Sequence, residues 1–402
     1  MQAIPYLCDR LHSEALTRIL LLILYRVMHP STSSPQGSFA DSKPHYPLLD
    51  GLRGVAAIVV VWYHIFESFA TSHLDQVVNH GYLAVDFFFL LSGFVLGYAY
   101  DGRWGTMNTW GFIRRRLIRL HPMVIFGAIF GGALFYTQGC EAWDVSKISI
   151  GMLLVGILLN ALMIPAPTRM DVRGLGEIYP LNGPTWSLFF EYIGNILYAT
   201  ILRRLPLWGL RLIILVSGLG LIGVAVYGTQ GDLCLGWAFT PENALGGSLR
   251  LIFSMTMGLL LSRTLRTRTF RGSFVLGAGL FVLLAALPRL GGEEAFWLNG
   301  LYDSLCVLLI FPLLLAINVR SEGFTPRMRQ LCTTLGDLSY PLYMVHYPLL
   351  YCYYAWVKNH NLTFQQSLPG ALGLLFGSIL IAYLALRLYD GPLRRALAKH
   401  YL

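Results

Sequence analysis

The chain reads as an all-α, polytopic helical membrane protein with about ten transmembrane helices. Three observations carry that expectation. Hydrophobic residues make up 55% and charged residues 13% of the 402 positions, where soluble domains carry about 25% charged residues. The mean hydropathy is +0.57. Apolar runs close to the roughly 20 residues that cross a bilayer recur from Val55 onward, with short polar loops between them. One integral membrane domain, residues 48–402, follows a leading segment, residues 1–47.

The leading segment differs in kind. Its apolar stretch, Leu16 to Tyr25, is short for a span, with Arg18 inside it and Arg26 after it, so an interfacial helix is expected. No small-residue cleavage site follows closely, which argues against a signal peptide. Residues 30–47 are rich in Ser, Pro and Gly and read as a flexible linker.

Eleven apolar stretches come next, near 54–71, 82–99, 122–137, 148–165, 184–201, 209–228, 245–262, 273–288, 298–318, 335–357 and 369–388. Arginine-rich loops should face the cytoplasm. They carry Arg114 to Arg116 with Arg119; Arg203 and Arg204; Arg263, Arg266, Arg268 and Arg271; Arg320, Arg327 and Arg329; and Arg394, Arg395 and Lys399. Loops with Asp232 and Glu242, or Glu293 and Glu294, should face outward. The alternation holds from residue 184 to the end. Before that, three stretches (122–137, 148–165 and 184–201) stand where parity allows two, so one must not cross. The first is the shortest and contains Gly127, Gly131 and Gly132, so it is a re-entrant candidate. The third contains Glu191 and is the other suspect. Ten crossings with both termini cytoplasmic result, in a plasma or inner membrane if the host is bacterial.

The net charge of +9 follows from this orientation and from attraction to anionic membrane lipid. Arginines spread over separate loops do not make a nucleic-acid surface. The six cysteines (Cys8, Cys140, Cys234, Cys306, Cys332, Cys352) lack metal-type or redox-type spacing, and no metal site is expected.

Several polar groups stand where lipid would penalise them. Arg53 and His64 are eleven residues apart on one apolar helix, about 16 Å along its axis, which puts Arg53 at the membrane edge and His64 deep. A packing histidine is the alternative for His64. Asp86 opens the second stretch, either as an N-terminal cap or as a ligand contact, and Ser92-Gly93 suits close helix packing. Arg116 and Arg119, three apart, can clamp a phosphate or simply anchor the loop. Glu191, after Trp186 in Trp186-Ser187-Leu188-Phe189-Phe190-Glu191, either pairs with a buried cation such as Arg53 or transfers protons. Ser339, Tyr343 and His346 share one helix face by their spacing. His346 is a second ligand-facing imidazole or a packing group.

Taken in order, these motifs resemble the acyltransferase 3 family of integral membrane proteins, over about Leu48 to Arg395. The family's arginine-x10-histidine pair falls on Arg53 and His64, and its aspartate–phenylalanine–SGF segment on Asp86, Phe88, Ser92, Gly93 and Phe94. Its arginine-x-x-arginine pair falls on Arg116 and Arg119. WSL-x-x-E falls on Trp186 to Glu191 and SY-x-x-Y-x-x-H on Ser339 to His346. Ala84, His121 and Asp390 depart from common family residues. The resemblance implies transfer of a short acyl group, acetyl first, from cytoplasmic acyl-CoA to a hydroxyl of a glycan or other extracytoplasmic acceptor, with no tightly bound cofactor. In that reading His64 is the general base or acyl carrier. Arg53 binds donor phosphates or the oxyanion, and Glu191 orients His64 or holds Arg53. Arg116 and Arg119 hold coenzyme A phosphates; Asp86, Ser92, Trp186, Tyr343 and His346 complete the substrate contacts. Phe87, Phe88 and Phe89 are candidates for an acyl pocket. No hydrolase-like domain follows in the sequence, so transfer is expected to finish here or on a separate transferase partner. A transporter or flippase of an amphipathic substrate is the alternative, since buried Arg, His and Glu also make ion pathways.

Overall fold

The computed structural model describes residues 46–70, 75–265, 273–292, 294–319 and 325–402. The expected interfacial helix and the linker as far as residue 45, together with Cys8, Arg266, Arg268, Arg271, Glu293 and Arg320, lie outside the described residues; Pro47, the linker's last residue, opens the first helix. Those described form helices and loops without a named strand. The helices are α1 (Pro47–Glu67), α2 (Ala84–Tyr100), α3 (Thr109–Leu134), α4 (Ile150–Ala161), α5 (Thr185–Thr200), α6 (Leu207–Tyr227), α7 (Pro241–Thr264) and α8 (Phe274–Ala286). Next come α9 (Trp297–Asn318, with a π turn at Cys306–Ile310), α10 (Pro326–Asn359) and α11 (Phe364–Leu384). After a second π turn at Ala385–Asp390 comes α12 (Gly391–Tyr401).

Local chemistry sets many of the starts. Pro47, Pro241 and Pro326 occupy first turns, where a missing N–H costs nothing. Asn108, Ser149, Thr240, Ser273, Thr325 and Thr363 accept from backbone N–H groups of the first turn, and Thr363 with Gln366 forms a capping box.

Hydrogen bonds sort the loops into two ends of the bundle. At the first end Asp101, after α2, accepts from Tyr198 at the end of α5 (2.8 Å) and from Arg263 at the end of α7 (2.6 Å). Arg114 at the start of α3 donates to the Tyr401 carbonyl of α12. At the second end the backbone of His80 joins Ala285, Tyr136 joins Ile148, Ile178 joins Trp237 and Asn359 joins Gly139. The ten helices α1–α3 and α5–α11 run alternately between these ends, and α12 lies at the first. Most of the arginine-rich loops fall at the first end.

The exception to the passes is α4. It starts at the second end and runs 12 residues, about 18 Å. Asn160 then bonds Thr185 at the start of α5, and the intervening chain has returned to the second end at Ile178. So of the three stretches the one at 148–165 does not run from end to end of the bundle, and both suspects do. The 122–137 stretch belongs to a helix of 26 residues, its glycines packed against neighbours, and Glu191 is paired inside the protein.

Tight packing fixes α2 against α7. A Cβ on Gly93 would lie 2.0 Å from the Met255 carbonyl, and one on Gly258 would lie 2.0 Å from that of Leu90. Two backbones in mutual contact leave room for no side chain at either position. Phe87 fills the core against Phe281 and Phe311, while Phe89 joins a second cluster with Trp186, Phe190 and Met255. These two rings are core, and Phe88 lies against Tyr343.

Candidate functional site

His64 lies in the last turn of α1, not midway along it. A 21-residue helix is about 31 Å long and just matches the hydrocarbon core, so His64 belongs to the second end. Its Nδ1 bonds Glu67 Oε2 at 2.7 Å, one helical turn on. A carboxylate only accepts here, so Nδ1 is the donor, and in the neutral ring Nε2 carries the lone pair. The imidazole is mostly buried, with 16% exposure, and Glu67 is half-exposed. Glu67 was missed in the sequence motifs although the i,i+3 spacing announces it.

His346, fully buried on α10, stacks on His64 with ring centroids 5.7 Å apart and planes 28° apart. Its Nδ1 donates to the Leu342 carbonyl at 3.1 Å, and its Nε2 has no protein partner among the described residues. Two imidazoles therefore meet with both Nδ1 atoms held and neither Nε2 bonded among the described residues. Tyr343, one turn earlier, shares a hydrogen bond with Ser187 of α5 at 2.8 Å. Ser339, a further turn back, accepts from Arg53 Nε at 2.9 Å. The shared face of Ser339, Tyr343 and His346 is thus real, and each residue meets a different partner.

Arg53 is held by α10. It donates to Ser339 and the Gly336 carbonyl, and pairs with Asp50 at 3.1 Å. It sits about 16 Å along α1 from His64, so it does not reach an oxyanion formed beside that imidazole. Glu191 neither orients His64 nor holds Arg53. It pairs with Arg116 at 3.0 Å and accepts from Ser92 at 3.0 Å, while Arg116 also donates to Asn195 at 2.8 Å. Burial makes that pairing compulsory for Arg116. Arg119, three residues on, is exposed. The two arginines are therefore not a joint clamp, and Arg119 is the one free to meet a phosphate.

Asp86 does not cap α2. Leu83 occupies the cap position, and the Asp86 carboxylate takes both Nε (3.1 Å) and Nη2 (2.7 Å) of Arg250 in the buried core. Arg250 also donates to the carbonyls of Leu235 and Tyr82, and Trp186 lies 5.3 Å from its guanidinium. Trp186 and Asp86 thus serve one buried cation. An arginine inside an apolar stretch was the sequence signal for it.

The site that survives is the second-end cluster of His64, Glu67 and His346, linked to a first end bearing Arg53 and Arg119. One imidazole with a bare nitrogen and an orienting carboxylate is the equipment of a general base. The comparisons agree in kind. A family model described as an acyltransferase domain matches residues 46–387. Acyltransferase MdmB of Streptomyces mycarofaciens is 25% identical over 330 residues, 76% of this chain and 79% of its own length. Protein 2 in the picA locus of Rhizobium radiobacter is 35% identical over 172 residues, 41% of this chain and 82% of that protein. O-acetyltransferase OatA of Staphylococcus aureus is 23% identical over 368 residues, 88% of this chain, which spans 58% of OatA. No solved structure gives a significant match. The chain belongs to the acyltransferase 3 family and is a membrane-embedded acyltransferase.

Proposed function

We propose that the protein moves a short acyl group, acetyl first, from an acyl-CoA thioester to a hydroxyl of a glycan or other acceptor across the membrane. The donor binds at the arginine-rich first end, on the cytoplasmic side with both termini. The acceptor hydroxyl comes to His64 at the second end. The observation that carries this reading is the His64–Glu67 pair, which leaves Nε2 free to take a proton. His64 Nε2 removes the hydroxyl proton as the oxygen attacks the thioester carbonyl. The C–S bond breaks, and the departing thiolate takes that proton back from the imidazolium. Hydroxyl and thioester become ester and thiol, with no other reactant.

Arg119 and the open edge of Arg53 would hold donor phosphates. Arg116 supports the reading only indirectly, by locking Glu191 and Asn195 between α3 and α5. The pantetheine arm of coenzyme A is long and flexible, which suits a donor whose phosphates and thioester lie far apart along α1. Binding and thiol release by the purified protein in nanodiscs, with acetyl-, succinyl- and longer acyl-CoA donors, test this. Arg119→Ala should weaken donor binding without unfolding the protein. A folded protein that neither binds nor turns over any of these thioesters contradicts the reading.

A further inference from the structure

We infer that Glu177 is a positioning residue for the His64 imidazole, acting through the hydroxyl and ring of Tyr347. The inference rests on His64 being the base. Glu67 holds the imidazole at one atom, Nδ1, which leaves the ring able to swing about that bond. Torsions of this sp³–sp² kind are broad, so aiming Nε2 needs a second restraint. His346 covers one face. The edge of Tyr347 supplies the rest, with centroids 4.8 Å from His64 and planes at 83°.

Tyr347 is itself fixed from the segment between α4 and α5. Its hydroxyl donates to Glu177 Oε1 at 3.1 Å, and Tyr351, one turn on, donates to Oε2. The Arg173 guanidinium lies 3.6 Å from the Tyr351 ring centroid and is tied to the Pro180 carbonyl and Gln138. A Cβ on Gly183 would fall 2.6 Å from Tyr347 Cε1, so backbone closes the other side of the ring.

Glu177 is 7% exposed and makes no ion pair with Arg173 or any other cation among the described residues. Burial pushes its carboxyl up, while Tyr351, Arg173 and Tyr347 pull it down. Desolvating an unpaired carboxylate is costly, and an apolar residue would pack more cheaply there. What Glu177 adds is two directed hydrogen bonds, one ending on the ring that abuts His64. The non-crossing α4 brings this segment back to the level of the base.

The test uses the full chain in nanodiscs. With acetyl-CoA, Tyr347→Phe and Glu177→Ala should each lower kcat by roughly 10- to 100-fold, the scale of a small misplacement, with KM for acetyl-CoA unchanged. The double variant should be no worse than either single one. Glu177→Gln, which keeps an acceptor for the hydroxyl, should restore most of kcat. A readout independent of turnover is carbethoxylation of His64 by diethyl pyrocarbonate, followed by peptide mass spectrometry. Freed from its tether, His64 should react several-fold faster in Tyr347→Phe at an unchanged unfolding temperature. An unchanged carbethoxylation rate, or a wild-type kcat in Tyr347→Phe, overturns the inference. Wild-type turnover by His64→Ala would instead overturn the assignment of the base.

Discussion

Arg250 and Glu67 show how residues of ordinary appearance take opposite duties. Arg250 is sealed in the core, hydrogen-bonded to Asp86 and two backbone carbonyls. Removing one partner of such a pair costs about 3–5 kcal/mol, so Arg250→Ala and Asp86→Ala should both lose thermal stability in detergent. A normally stable Asp86→Ala protein with weakened donor binding would return Asp86 to the substrate site. Glu67 is half-exposed, and its loss should spare the fold. Glu67→Ala is expected to lower kcat by up to about 10⁴-fold, the cost of removing an orienting carboxylate from a catalytic imidazole, with an unchanged unfolding midpoint. Sequence alone located His64, Arg53 and the Ser339–His346 face, because ionisable groups on apolar helices stand out. It misassigned Asp86 and Glu191, because spacing along one helix does not show which neighbouring helix supplies a counter-charge. Arg250 and Arg116 stand in stretches remote in sequence from Asp86 and Glu191, so these pairings were invisible until the helices packed.

At the scale of elements, α2 and α7 pack so closely that their contact is a stringent test of the fold. Gly258→Ala places a methyl against the Leu90 carbonyl and should cost about 1–3 kcal/mol by overpacking. A lowered unfolding midpoint would show it; an unchanged one would mean the backbones stand further apart. Helix existence was legible from apolar runs, but the failure of α4 to cross was not. Its composition is as apolar as that of a span, and only 12 of its residues coil before the chain turns back. The glycines of 122–137 suggested a broken helix, yet they let α3 approach Leu181 and Asn182 closely. Small residues in lipid report contact at least as often as interruption.

For the whole molecule, the proposed donor and acceptor sites lie at opposite ends of one bundle. In a cysteine-free background, Gly102→Cys lies at the first end and Glu141→Cys at the second. A membrane-impermeant thiol reagent added to intact cells should label Glu141→Cys and spare Gly102→Cys. Labelling of Gly102→Cys alone would invert the orientation. The alternation of arginine-rich loops made the two ends legible, whereas the depth of His64 was not, because the helix start at Pro47 sets it. The most direct test of the central claim is release of free thiol from acetyl-CoA by wild-type protein and by His64→Ala, both shown folded by thermal unfolding. A loss of roughly 10²- to 10⁴-fold in His64→Ala is the predicted result. Equal rates in the two proteins would contradict it.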